Sequence, residues 1–318
     1  MVKDSKTRWA TRVEWPTIAI CVLCYAGFAV ATVWAQAMGL LPAAIILTLS
    51  LTLFSSFSHE VLHGHPFRNK HLNEALVFPA LSVLIPYERF RDTHLAHHND
   101  PSLTDPYDDP ESNFVDPAVW SGWCNLRRTI YRFNNTLAGR IIIGPVVGLW
   151  AFYVSDAKAI ISGDRAVSRA YLLHFAGLVP VFVWLLTASS MPVWLFFVCV
   201  YASHAVLKIR TFLEHRMHEL ARCRSVIVER GGVLGFLFLN NNLHAVHHAR
   251  PSMPWYRLPS FYTAHRAHFL RRNGGYRYAS YGQVFLQYFL RAKDPVPHGL
   301  NAEVAEPSVQ PMRIQSKV

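Results

Sequence analysis

A chain of 318 residues in which 52% are hydrophobic and only 16% charged is too oily for an ordinary soluble domain and reads as membrane-embedded. The net charge of +11 suits nucleic acid, anionic lipid headgroups or an acidic protein alike, but no RNA- or DNA-binding motif is present and the basic residues lie between apolar runs, which excludes a nucleic-acid role. Five cysteines with no even framework exclude disulfide stapling, and the lone Cys21-Cys24 pair is a coincidence of one helix face.

Lys3, Lys6, Arg8 and Arg12, set against Asp4 and Glu14, predict a cytoplasmic N-terminus. Residues 17–37 carry no charge and can cross a hydrocarbon core of about 30 Å at 1.5 Å per residue. The run is too long for a signal-peptide core and lacks a small-residue cleavage site, so it reads as a first span. Pro42 opens a second, antiparallel span over 42–58, which delivers His59 to the cytoplasmic side. Residues 75–86, broken by Pro79, are too short to cross and read as interfacial or re-entrant. The Asp-, Pro- and Ser-rich stretch 99–123, with TDPYDDPES, reads as a turn-rich loop whose carboxylates are solvated turn formers rather than ligands.

The run 141–154 is tempting as another span, but Gly144, Pro145 and Gly148 weaken it. Parity argues the same way, because 170–188 and 192–207 form a hairpin whose two ends should share the cytoplasmic side. His174 and His204 inside that hairpin read as snorkelling or helix-pairing residues. Helical pattern resumes near 260–272 and 281–292, and 300–318 reads as a disordered tail. The expectation is an all-α integral membrane protein: one domain over 1–299, four transmembrane helices (17–37, 42–58, 170–188, 192–207), and a cytoplasmic helical cap carrying a histidine-ligated dimetal site.

Three histidine clusters carry that last point. His59 and His63 are i and i+4, while His94, His97, His98 and His244, His247, His248 repeat the spacing i, i+3, i+4, which puts each set on one helix face. His65 follows Gly64, falls off the face of the first pair and reads as a spare or supporting histidine. Eight aligned imidazoles exceed the needs of one ion, and two metals are the natural count. Imidazole suits iron, copper, zinc and nickel, so spacing does not name the metal. His59, Glu60 and His63 also match HExxH, the helix of zinc proteases, but that reading leaves both HxxHH clusters without work. A catalytically silent, metal-bearing membrane binding protein is the remaining alternative.

The ordered set HxxxH at 59–63, HxxHH at 94–98 and HxxHH at 244–248, with TDPYDDPES, RTFLEHR (210–216) and NNNLHAVHHARPSMPWYRLP around it, resembles the membrane fatty acid desaturase and hydroxylase superfamily across nearly the whole chain. The resemblance implies that His59, His63, His94, His97, His98, His244, His247 and His248 bind two iron ions, with His215 as a further ligand. It implies an O2-dependent lipid oxidoreductase drawing its acyl substrate from the bilayer. The first cluster has three residues between its histidines rather than four, which favours acyl-lipid desaturases over the acyl-CoA type and keeps fatty acid, alkane and carotenoid hydroxylases open. No iron–sulfur spacing, dinucleotide GxGxxG or fused haem motif is visible, so electrons should come from a separate ferredoxin or cytochrome.

Overall fold

The computed structural model describes residues 13–100 and 102–299. In chain order its principal helices are α1 (Trp15–Val33), α2 (Leu40–Leu62), α3 (Tyr87–Asn99), α4 (Asn125–Asn134), α5 (Gly144–Ile161), α6 (Arg165–Thr187), α7 (Val193–Thr211), α8 (His244–Ala249), α9 (Leu258–Arg272) and α10 (Tyr281–Tyr288). Of these, α1, α2, α6 and α7 are long and apolar enough to cross a membrane. Each overlaps one of the four expected spans, with different ends: α1 stops at Val33 short of residue 37, α2 continues past residue 58 to Leu62, α6 begins at Arg165, and α7 continues past 207 to Thr211. Backbone hydrogen bonding carries α2 and α7 beyond their apolar runs, so His59 rides on helix rather than loop.

The spans pack through α1, α2 and α7, where Leu47, Leu51, Phe54, Phe57 and Phe196 are fully buried. Their outward faces stay apolar and uncovered, with Val22, Leu41, Ile45, Leu172, Val179 and Leu186 exposed, as helices apolar all round require of a lipid contact. The two hairpin turns meet at one end of the bundle. Ser190 N–H donates to the Thr32 carbonyl at 2.9 Å, Trp184 Nε1–H donates to Thr32 Oγ1 at 3.0 Å, and Gln36 Nε2–H donates to the Ser190 carbonyl at 3.2 Å. The other four helix ends therefore share the opposite side, and the histidine clusters emerge there.

Within the stretch 141–154 a short helix, Leu137–Ile142, ends and α5 begins, opening on Gly144-Pro145 and carrying Asp156 and Lys158; α5 is not among the four long apolar helices. Residues 76–86 form an irregular connector lying on α6. Ala80 N–H donates to the Gly177 carbonyl at 3.0 Å, and His174 Nε2 lies 2.8 Å from the Val83 carbonyl oxygen. The Phe78 carbonyl oxygen fills the space a Cβ at Gly177 would need, so this close approach requires glycine. His204 bonds within its own helix, Nδ1 3.0 Å from the Val200 carbonyl oxygen. One feature departs from all-helical: β1 (Ile227–Arg230) and β2 (Arg277–Ser280) pair in parallel beside α8 and α9. The basic residues before position 13 and the tail 300–318 lie outside the described residues.

Candidate metal centre

Four pieces of chain deliver nine histidines to one place. His59 sits on the last turn of α2 and His63 caps it, their rings 4.8 Å apart. His94, His97 and His98 share one face of α3, and His244, His247 and His248 share one face of α8. His215 follows α7 and is held by a bridge to Ser225. The donor atoms sort into two groups: His59, His63, His94, His98 and His247 in one, and His97, His215, His244 and His248 in the other, with donors within 4.8 Å of one another. Each HxxHH cluster is split between the groups, which makes the pair of groups one interlocked unit.

The ring nitrogens point inward. Nε2–Nε2 separations of 3.0 Å join His97 to His215, His244 to His215, His94 to His98, His98 to His247 and His244 to His248. Nε2 of His59 and of His63 is buried with no hydrogen-bond partner. Buried nitrogens that converge without donors between them are unfavourable unless a shared cation takes their lone pairs. A donor set made only of imidazole fits iron, copper, zinc or nickel.

The opposite edges of the rings are held by acceptors. His97 Nδ1 lies 2.7 Å from Asp109 Oδ1, His94 Nδ1 lies 2.8 Å from Glu111 Oε1, and His244 Nδ1 lies 2.9 Å from Asn241 Oδ1. Each acceptor favours the proton on Nδ1 and leaves Nε2 free to ligate. Asp109 is itself fixed by Thr104 N–H at 2.8 Å and Glu111 N–H at 2.9 Å. This corrects the reading of the 99–123 loop as solvated turn formers: Asp109 is 4% exposed, because a buried imidazole needs an acceptor behind it. The signal available in the sequence was the position of those carboxylates directly after the second cluster, on a loop with turns enough to fold back.

Protonation follows these contacts. Burial opposes charge on His97, but the Asp109 hydrogen bond and the nearby Glu111 and Asp109 charges outweigh it and push the ring up to about 9. Burial first, then the neighbouring His94 and His97, pushes His98 down to about 3. Burial and adjacent imidazoles hold His215, His244, His247 and His248 well below the ordinary range. His94 and its hydrogen bond hold the Glu111 carboxyl below the usual range against the effect of burial.

His65 joins neither group; its Nδ1 lies 2.8 Å from Glu14 Oε1. Glu60 accepts the Trp255 N–H at 3.1 Å, tying the end of α2 to the chain just after α8. A family model described as fatty acid desaturase matches residues 32–280. The chain belongs to the fatty acid desaturase family. All three histidine clusters and His215 fall inside the matched region, as do three of the four long apolar helices whole and the end of the first. No curated relative matches the chain. Family membership makes this a membrane oxidoreductase of the desaturase and hydroxylase group, with histidine clusters that could hold metal.

Two hollows flank the histidines. A cavity of about 510 Å³ lies between α2, α6 and α7 under the connector and α3, walled by Phe54, Val77, Phe78, Ile85, Leu173 and Leu207 among others. Phe90 lines it too, with its ring 5.7 Å from that of His94. A smaller cleft of about 200 Å³ reaches His97, His98 and His248 directly and carries Arg222 and Arg272.

Proposed function

We propose that this protein is a di-iron, O2-dependent acyl-lipid desaturase that introduces a double bond into an acyl chain drawn from the bilayer. The observation that carries the reading is the convergence of nine histidines into two groups, with a cavity between α2, α6 and α7 that Phe90 shares with His94. In this reading His59, His63, His94, His98 and His247 hold one iron ion, and His97, His215, His244 and His248 hold the other. Five imidazoles in one group exceed the four ligands of a closed zinc site, which supports iron over zinc. A reduced iron pair supplies the activation of O2 that unreactive methylene C–H bonds require.

The chain's own residues do the positioning. The cavity volume of about 510 Å³ falls within the range of about 300–1,000 Å³ usual for small-molecule sites, and its aromatic and aliphatic side chains suit an acyl chain, with Glu74, Glu88, Arg169 and Lys208 also on its wall. Phe90, shared between cavity and His94, would hold a methylene against the histidine groups, and the oily wall excludes water from the reacting carbon. Electrons would enter from a separate ferredoxin or cytochrome. The cleft that reaches His97, His98 and His248, with Arg222 and Arg272 on it, suits an acidic donor. The histidine end would then face the cytoplasm, as the basic N-terminal stretch suggests.

The zinc-protease reading loses its support here, since Glu60 is bonded to Trp255 N–H and both HExxH histidines share a group with three others. Mass-spectrometric lipid profiling of cells with and without the gene tests the proposal. Desaturation predicts acyl chains lighter by two hydrogens; chains heavier by one oxygen would assign a hydroxylase of fatty acids, alkanes or carotenoids instead; an unchanged lipid profile would overturn both.

A further inference from the structure

The helix α4 (Asn125–Asn134) is exposed along almost its whole length; among its residues only Asn134 is buried. Its C-terminal end is seated. The Phe133 carbonyl oxygen occupies the space where Gly139 has no side chain, and Asn135 Nδ2–H donates to the Asp294 carbonyl. The remainder projects from the body, although an isolated helix of this length is marginal in water.

Its faces differ sharply. Leu126, Ile130 and Phe133 share one face by helical periodicity and are 71%, 40% and 38% exposed. Arg128 and Arg132 lie on the other side, with Arg127 on the flank. The stretch 117–134 contains these three arginines and no Asp or Glu, and among the described residues no carboxylate pairs with any of them, although Arg128 donates to the Trp120 and Ser121 carbonyls. Trp120, Trp123 and Tyr131 form a contiguous aromatic group, with ring separations of 5.4 Å and 4.6 Å, and the Arg127 guanidinium lies 3.8 Å from the Trp123 ring centre. At 10 residues the helix is too short to cross a bilayer.

A basic helix with an exposed apolar stripe, low overall hydrophobicity and Trp and Tyr beside it matches a segment lying in the membrane surface. We propose that α4 lies in the plane of the bilayer interface, its Leu126–Ile130–Phe133 stripe among the acyl chains, with Arg127, Arg128 and Arg132 binding anionic phosphate headgroups. An acidic protein would match the arginines but would leave the apolar stripe in water, whereas a leaflet satisfies both faces at once. Further along the chain Ile142, Val146 and Trp150 are also exposed, at 57%, 58% and 72%. The proposal requires only that α1, α2, α6 and α7 span a bilayer, and it stands apart from the redox reading.

Cys124, at the N-terminal boundary of α4, is exposed, whereas the other four cysteines are buried. That permits a probe at one place in the full chain. The protein, labelled at Cys124 with an environment-sensitive fluorophore, is reconstituted in phosphatidylcholine vesicles, and phosphatidylglycerol is then titrated in. The expected result is quenching by lipid-borne quenchers and a blue shift that rises with phosphatidylglycerol. The apparent affinity for phosphatidylglycerol should weaken about fivefold for each arginine changed in R127Q, R128Q and R132Q, and a triple Arg→Lys variant should keep it. Native mass spectrometry of the unlabelled chain reads the same preference as retained phosphatidylglycerol over phosphatidylcholine, so the outcome does not depend on the label. A probe quenched by aqueous iodide and untouched by lipid quenchers would overturn the proposal, and so would lipid quenching with no dependence on phosphatidylglycerol. Protection that arises only on adding an acidic ferredoxin would overturn it in favour of a protein partner.

Discussion

Asp109 and His97 form a buried pair in which Oδ1 lies 2.7 Å from Nδ1 and each side chain is 1% exposed. Because Asp109 is fixed by two backbone N–H groups, it aims the imidazole as well as setting its proton. Asp109→Asn removes the charge at nearly constant shape. Iron affinity measured by chelator competition is expected to fall by about 10- to 100-fold. Wild-type affinity in that variant would show that the carboxylate does nothing for the histidine group.

The division of the histidines into two groups predicts separable losses. His98→Ala removes a member of the five-histidine group and His215→Ala a member of the four-histidine group. Each variant is expected to lose product formation while keeping about half the iron of the wild type by elemental analysis, since the untouched group keeps all of its imidazoles, four in His98→Ala and five in His215→Ala. Full iron content in His215→Ala would remove that residue from the proposed ligand set.

Acid should destabilise the metal-free protein. For a histidine whose folded value is depressed, the unfolded chain binds the proton first, so stability falls as pH drops below about 6.5. His98, held down at about 3, and His215, His244, His247 and His248, all lowered, act in that direction. His97 acts oppositely: its contribution is complete below about 6.5 and is lost as pH rises through about 9. Melting of the metal-free protein is therefore expected to show a maximum near neutrality, with the steeper decline on the acid side.

Arg89 on α3 grips Asp156 on α5 through Nε at 3.0 Å and Nη2 at 2.7 Å, and Tyr171 O–H donates to the same carboxylate at 3.1 Å. Asp156 is 1% exposed, so Arg89→Ala strands a buried charge. A loss of about 3–5 kcal/mol is expected, read as a lowered melting temperature in detergent. Because α3 carries His94, His97 and His98, iron retention on heating should fall with it.

Glu60 separates the lipid-oxidase reading from the protease reading. Glu60→Gln keeps an oxygen for the Trp255 N–H and is expected to retain iron and product formation, with stability changed by about 0.5–1.5 kcal/mol. A general base would not survive that substitution, so abolished turnover with intact folding and iron would return Glu60 to a catalytic role.

The sequence made the spans and the histidine faces readable for one reason: both are local. Apolar runs announce a span by length, and HxxxH and HxxHH announce a face by 3.6-residue periodicity, so α1, α2, α6, α7 and the eight clustered histidines were legible locally, whereas His215 came only with the family resemblance. How each HxxHH cluster divides between two groups was not, since it depends on how α3 and α8 approach each other. Asp109 was misread for a related reason. Nothing local distinguishes a solvated turn aspartate from one folded back under a histidine, and the Thr104 and Glu111 amides that mark the difference act only in the finished loop. The short β1–β2 pair, joining residues about fifty apart, lay equally beyond local pattern.

The Glu60–Trp255 bond has a consequence for biogenesis. It joins the end of the second span to a residue made almost two hundred positions later, and each histidine group includes a member of the 244–248 cluster. Neither group can close while the ribosome is still translating the third and fourth spans. The half-made protein therefore sits in the membrane with at most five of its grouped histidines displayed, and loading must wait for the cap to dock.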